Sequence, residues 1–424
     1  MNKEQILWAD DEIDLLKPHI LFLQNKGYEV TTVTNGRDAL DAISQQNFHL
    51  IILDENMPGI SGLEALQQIK IAQPNVPVIM ITKSEEENIM NQAIGSEIAD
   101  YLIKPVNPMQ ILLSIKKNLH SEALVAQKAT SDYQQEFMSI SQQIAMARTI
   151  DDWYQLYNTL VRWELTLSNA ETGMADMLRM QKLEANSAFA KMVKRNYEKW
   201  VTTDDHPLMS NEIFKTQIFP HIDAGEKVCF IVIDNFRLDQ WRTISPLLND
   251  YFNIEKEELY TTILPTATQY ARNAIFSGLM PIDIERMFPE LWVDEDEDEG
   301  KNLNEAPLIQ TILDRYRRKC KFSYNKLNDS AAGERLVQHF AQLKNFDLNV
   351  IVFNFVDILS HARTESKMIR ELAYTDEAYR SLTVTWFKNS YVLEIFKRIA
   401  EQGWKIVLTT DHGSIRASKP IKIV

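Results

Sequence analysis

Within the first 120 residues, short β-type runs (QILWA, EVTTV, LIILD, PVIMIT and DYLIK) alternate with helical patterns. That alternation is the signature of a parallel, doubly wound α/β sheet. It constrains function as well as fold, because ligands in such sheets bind beyond the carboxyl ends of the strands. Polar side chains at those ends are therefore the first candidates for a site. Here they are Asp10 and Asp11 after QILWA, Asp54 closing LIILD, Thr82 closing VIMIT, and Lys104 in YLIKP.

The alternation stops abruptly. From Met109 to His206 there is no proline and a single glycine, Gly173, while Trp153, Leu156, Tyr157, Leu160, Trp163 and Leu167 recur at helical spacing. This stretch reads as a helical bundle or long paired helices, with the aromatic stripe as core. After HPL and FPHIDAGE the β-type runs return as KVCFIVID, ELYTTILP, LNVIVFNFVD and KIVLTTD, which predicts a second α/β domain. The expected organisation is residues 1–120, 121–206 and 207–424, in keeping with a prior of about 150 residues per domain.

Composition narrows the function classes. No apolar stretch approaches the roughly 18 to 20 residues that span a bilayer, and MNKEQIL lacks the regions of a signal peptide, so a cytoplasmic location without membrane insertion is expected. Cys229 and Cys320 show no metal-ligand spacing and read as reduced thiols. A net charge of -14 argues against a general nucleic-acid coat, and no helix-turn-helix follows the first domain, so direct DNA binding is not expected. The acidic run DEDEDE at 294–299 reads as a solvated loop.

Clustered carboxylates make a site for a hard divalent cation, and Mg2+ prefers oxygen ligands; a nearby lysine then supplies positive charge for a phosphoryl group. Together with the Met57-Pro58-Gly59 turn and the Lys104-Pro105 pair, the first 120 residues resemble the receiver domain of bacterial two-component response regulators. The resemblance implies Asp54 as phosphoacceptor, Asp10, Asp11 and Asp54 as the Mg2+ site, Lys104 as phosphate partner, and Thr82 with Tyr101 as the switch pair. It further implies a sensor histidine kinase as phosphoryl donor and a homodimer on phosphorylation, with the long helices carrying the change onward.

In the last segment strand ends again deliver polar groups. Asp234 closes VCFIVID, Thr268 lies in LPTATQYARNAIFSG, Asp357 and His361 stand in VDILSH, and Asp411 and His412 follow KIVLTT. Carboxylate, imidazole and hydroxyl together suit Zn2+ or Mn2+ better than Mg2+. Taken singly, Asp411 also fits a turn before Gly413, and Asp357 with His361 a local pair on one helix face. The pattern over about 225–424 resembles the PglZ-type branch of the alkaline phosphatase superfamily. That resemblance implies two zinc ions and a metal-activated Thr nucleophile. Asp234, Thr268, Asp411 and His412 would serve one metal and Asp357 with His361 the other. Thr268 is preferred over Thr266 as the second hydroxyl of a P-T-x-T turn, and Arg272 or Asn273 would contact phosphate.

The superfamily's second metal takes a further histidine near the C-terminus, whereas this sequence ends at KPIKIV; His206, His221 and His339 come in the wrong order to replace it. The second zinc site is therefore expected to be incomplete, the chain shortened and its activity weakened. The three-part arrangement resembles response regulators of the Bacteroidetes type IX secretion system. The reading that results is a regulator whose phosphorylation controls a zinc-dependent phosphodiesterase or phosphatase acting on phosphate esters such as (oligo)nucleotide signals. The alternative is a non-catalytic, zinc-stabilised docking regulator that binds a transcription or secretion protein.

Overall fold

The computed structural model describes residues 3–83, 87–168, 172–293 and 302–415; the acidic run at 294–299 and the terminal KPIKIV lie outside them. Two compact units divide the chain, Met1–Ser131 and Asp132–Val424. In the first, β1 (Gln5–Ala9), β2 (Glu29–Val33), β3 (Leu50–Leu53), β4 (Val78–Thr82) and β5 (Asp100–Ile103) form one sheet in the order β2-β1-β3-β4-β5. Every pairing is parallel. Successive strand residues point to opposite faces. Leu7, Ala9, Ile51, Leu53, Val78 and Met80 therefore build one core, and Ile6, Trp8, Leu50, Ile52, Ile79 and Ile81 the other. The strand order reverses between β2 and β3 on either side of β1, which puts a crevice at the carboxyl ends of β1 and β3.

Three long helices follow, Pro108–Met146, Ile150–Thr166 and Thr172–Thr202, the first running across the boundary between the units. The second carries Asp151 and Asp152 in its first turn under a Thr149 cap, whose side chain accepts from the Asp152 amide while the Asp152 carboxylate accepts in return. Trp153, Leu156, Leu160, Trp163 and Leu167 are buried as the helical spacing predicts. Tyr157 departs from that stripe and is 42% exposed. Among the described residues no helix is long and apolar enough to cross a membrane.

The second sheet is also all parallel, in the order β7-β8-β6-β9, with β6 Val228–Ile233, β7 Phe322–Leu327, β8 Leu348–Phe353 and β9 Lys405–Thr409. One expected strand is corrected: ELYTTILP forms no strand, only an isolated bridge from Thr261 to Met209. Its polar groups go elsewhere. Tyr260 donates its hydroxyl to the Thr410 carbonyl, Thr262 Oγ1 donates to the Asp411 carbonyl, and the Ile263 and Leu264 amides donate to Ser210 and Tyr197. The fourth strand is instead the half-buried edge β7.

Candidate functional site

In the first unit, β1 and β3 are neighbours, so Asp10 and Asp54 leave adjacent strand ends side by side. Both are buried, whereas Asp11 is exposed, and the three acids bring ligand oxygens within 4.8 Å of one another. Lys104, just past β5, places Nζ 2.8 Å from Asp10 Oδ2 and 2.9 Å from Asp54 Oδ2. Burial pushes the Asp54 carboxyl above its ordinary value against the pull of Lys104. Its Oδ1 is buried without a hydrogen-bond partner. A buried oxygen lacking a donor, in a set of three acids facing one lysine, fits a hard divalent cation. Thr82, buried, closes β4, and half-buried Tyr101 pairs with Met80 across β4 and β5. Gly62 opens the helix that packs on this loop, and any Cβ there would overlap the Asp54 carbonyl oxygen.

In the second unit β6 and β9 pair directly, and their ends carry Asp234 and Asp411 with His412. Ligand atoms of these three lie within 4.8 Å of one another. Thr268 is the first residue of the helix Thr268–Ser277. Its Oγ1 sits 2.9 Å from His412 Nε2 and 3.5 Å from Asp234 Oδ1. The loop between the strand ends is tied down: Asp411 Oδ1 accepts from the Asn235 and His412 amides, and Thr410 Oγ1 accepts from the Phe236 amide. Asn235 itself has φ 58°, the left-handed region, and its Nδ2 donates to Asp357 Oδ1 at 3.1 Å.

Behind this cluster Arg272, 0% exposed, ion-pairs through Nη2 with Asp234 Oδ2 and donates Nε to Asp411 Oδ2 at 3.0 Å. Its Nη1 reaches Glu305 Oε1 at 3.2 Å. Glu305, buried, also accepts from Tyr324 Oη and from Lys326 Nζ. Three buried acids thus face two cations. Burial, then the neighbouring Asp411, pushes the Asp234 carboxyl up to about 7 despite Arg272. A site that holds more negative charge than it can keep ionised, with carboxylate, imidazole and hydroxyl donors converging, fits a divalent metal such as zinc.

Residues 213–424, which are 212 of the 424, match the model for the BREX system PglZ alkaline phosphatase-like domain. The chain belongs to the PglZ alkaline phosphatase-like family. Ahead of its PglZ domain, residues 6–116 match the response regulator receiver domain and 123–201 the PorX response regulator linker domain, so the chain is a response regulator of the PorX type. Among curated proteins, the transcriptional regulatory protein ResD of Bacillus subtilis (strain 168) is 32% identical over 115 residues, 27% of this chain and 48% of that protein. The transcriptional regulatory protein YkoG of the same organism is 34% identical over 121 residues, 28% of this chain and 52% of that protein. The chain therefore spans about half the length of these curated relatives. A CheY-like receiver domain from Methanospirillum hungatei JF-1 is 28% identical, covering 28% of this chain and 94% of that one, with a TM-score of 0.27.

Within the PglZ domain, Asp234, Thr268, Asp411 and His412 come together as one group. Asp357 and His361 lie apart from it, one turn from each other on the helix Phe355–Glu365, with His361 Nε2 3.5 Å from Asp357 Oδ2 and the His361 side chain 67% exposed. Asp357 is tied to the group by the hydrogen bond from Asn235, and its charge adds to the upward push on Asp234. Thr266 is exposed, two residues before Thr268. Of the alternatives Arg272 and Asn273 for a phosphate contact, Arg272 is set aside, because its guanidinium is buried and committed to carboxylates. Sequence reasoning missed Asn235, Glu305 and Gly62. For Gly62, the Ser61-x-x-Glu64 capping pattern at a helix start was the available signal; Glu305 has none.

Proposed function

We propose that this response regulator hydrolyses phosphate esters at its PglZ domain with Thr268 as nucleophile, under control of phosphorylation at Asp54. The observation that carries the reading is the 2.9 Å separation of Thr268 Oγ1 and His412 Nε2 at the edge of a buried carboxylate pair. His412 Nδ1 lies 3.1 Å from the Gly413 carbonyl, which can only accept, so the proton belongs on Nδ1. The Nε2 lone pair then faces the Thr268 hydroxyl and is free to take its proton or to hold a metal. Asp234, Asp411 and His412, with Thr268, would hold a zinc ion. When bound, zinc supplies Lewis acidity that acidifies a hydroxyl and draws charge off phosphoryl oxygens. Thr268 stands at a helix N-terminus, where free amides favour an incoming anion. Asp357 and His361 would serve a second, weaker metal position.

In the receiver, Asp10, Asp11 and Asp54 would hold Mg2+, Lys104 would pair with the phosphoryl group on Asp54, and Thr82 with Tyr101 would report it. A sensor histidine kinase is the donor, and dimerisation through the receiver is the direct consequence. Two hydrogen bonds support control of the nucleophile by the linker: Tyr154 Oη to Thr261 Oγ1 at 2.8 Å and the Leu264 amide to Tyr197 Oη at 2.6 Å, both on the loop leading to Thr268. A role in type IX secretion, and a nucleotide diester as substrate, rest on resemblance.

The test is hydrolysis of bis(p-nitrophenyl) phosphate by zinc-loaded protein, with chelation and with Thr268→Ala. The reading requires turnover that chelation abolishes and that Thr268→Ala lacks. Equal turnover in Thr268→Ala contradicts it.

A further inference from the structure

We propose that Arg272 is a positioning residue that presets the two metal-binding carboxylates, anchored from outside the site by Glu305. The inference rests on the zinc-site reading above and concerns what fixes the shape of that site. A carboxylate offers two oxygens and can meet a metal through either or both, so a bare Asp234 has several modes open to it. Arg272 closes most of them. One planar guanidinium takes Oδ2 of Asp234 and Oδ2 of Asp411 at once, leaving Asp234 Oδ1 as the oxygen turned towards Thr268 and His412, 3.5 Å from each. Lysine, a point charge, has no fork able to bridge two carboxylates in a fixed plane.

The anchor makes the fork rigid. Glu305 holds Nη1 through Oε1, and its own Oε2 accepts from Tyr324 and Lys326, both on β7 and two residues apart on one face of that edge strand. Asn354, just past β8, offers Oδ1 to the same Nη1 at 3.4 Å. The guanidinium is thus held from behind by Glu305 and Asn354, and through Glu305 by β7, none of which carries a proposed zinc ligand of this group. Burial draws the Arg272 pKa down, but Asp411, Asp234 and Glu305 together raise it, so the cation persists. Partners that orient metal ligands are worth about 10- to 100-fold in metal affinity.

Charge alone and geometry are separable. Arg272→Lys keeps the cation and loses the fork; Glu305→Gln keeps Arg272 and weakens its anchor. Zinc affinity of the full chain by chelator competition, and the visible absorption of the cobalt(II)-substituted protein, are the readouts, since the cobalt bands report coordination number whatever the turnover. The expected result is a loss of about 10- to 100-fold in zinc affinity with altered cobalt bands for Arg272→Lys, and a smaller change in the same direction for Glu305→Gln. Wild-type affinity and an unchanged cobalt spectrum in both overturn the inference. A crystal structure of the zinc-loaded wild type needs no variant: Asp234 binding through Oδ1 alone, with Oδ2 on Arg272, supports the proposal, and bidentate Asp234 overturns it. A wild-type chain that binds no divalent metal at these residues overturns the reading beneath it instead.

Discussion

The Thr268 hydroxyl and the His412 imidazole meet at 2.9 Å although 144 residues separate them in the chain. One comes from a helix start and the other from a strand end, so the contact is a property of the fold. Thr268→Ser keeps an oxygen at that place and is expected to retain hydrolysis within about one order of magnitude, whereas Thr268→Ala loses roughly three orders or more. Thr266→Ala, two residues away and exposed, leaves turnover unchanged. Steady-state rates on one phosphodiester check all three.

Asp54 and Lys104 make a second such pair. Incubation with acetyl phosphate and Mg2+ is expected to label the wild type and leave Asp54→Ala unlabelled, as read by intact mass. Gly62→Ala forces the Asp54 loop to move and is expected to slow labelling, because the added methyl overlaps the Asp54 carbonyl. Unchanged uptake in Asp54→Ala would sink the phosphoacceptor assignment.

Arg380 joins the linker to the PglZ domain. Its Nη1 donates to Glu164 at 3.1 Å and to Asp239 at 3.0 Å, with the Arg380 and Asp239 side chains 5% and 6% exposed. Stranding a buried charge costs about 3 to 5 kcal/mol, but here Asp239 also pairs with Arg237 and Glu164 with Lys182, so neither acid is left without a cation. Arg380→Met is therefore expected to lower stability in urea unfolding by less than that, about 1 to 3 kcal/mol. The more exposed Glu164 makes Glu164→Gln the milder change.

Asp376 gives a pH signature. Burial alone would raise its pKa, but Arg237 and Arg363 outweigh burial and hold it below the ordinary 3.8. A carboxyl with a lower pKa folded than unfolded adds stability above the unfolded value and loses it as pH falls through the folded value. Asp376→Asn is expected to lower the melting temperature at pH 7, and the gap to the wild type is expected to narrow below pH about 4. Melting curves at both pH values decide.

The parts legible in the sequence are those written in local pattern. β1, β3, β4, β6 and β8 are buried apolar runs, and Asp10, Asp54 and Asp234, which follow β1, β3 and β6, sit where carboxyl ends of parallel strands place them. Edge strand β7 escaped, because Ser323, Asn325 and Lys326 break its apolar character and one side needs no burial. ELYTTILP misled for the opposite reason: its β-type residues spend their polar groups on Thr410, Asp411, Ser210 and Tyr197 instead of a ladder. Arg272 stood with Asn273 as an alternative phosphate contact from its place after Thr268. Its true partners, Glu305 and Asp411, stand 33 and 139 residues away, beyond any local pattern.

Zinc-edge anomalous scattering from crystals of the zinc-loaded chain tests the central claim most directly. The account predicts one strong peak within bonding reach of Asp234, Thr268, Asp411 and His412, and a weaker or absent one at Asp357 and His361, where two protein ligands pre-position little of a tetrahedral shell. A dominant peak at Asp357 and His361, or none at the Thr268 group under saturating zinc, would contradict it.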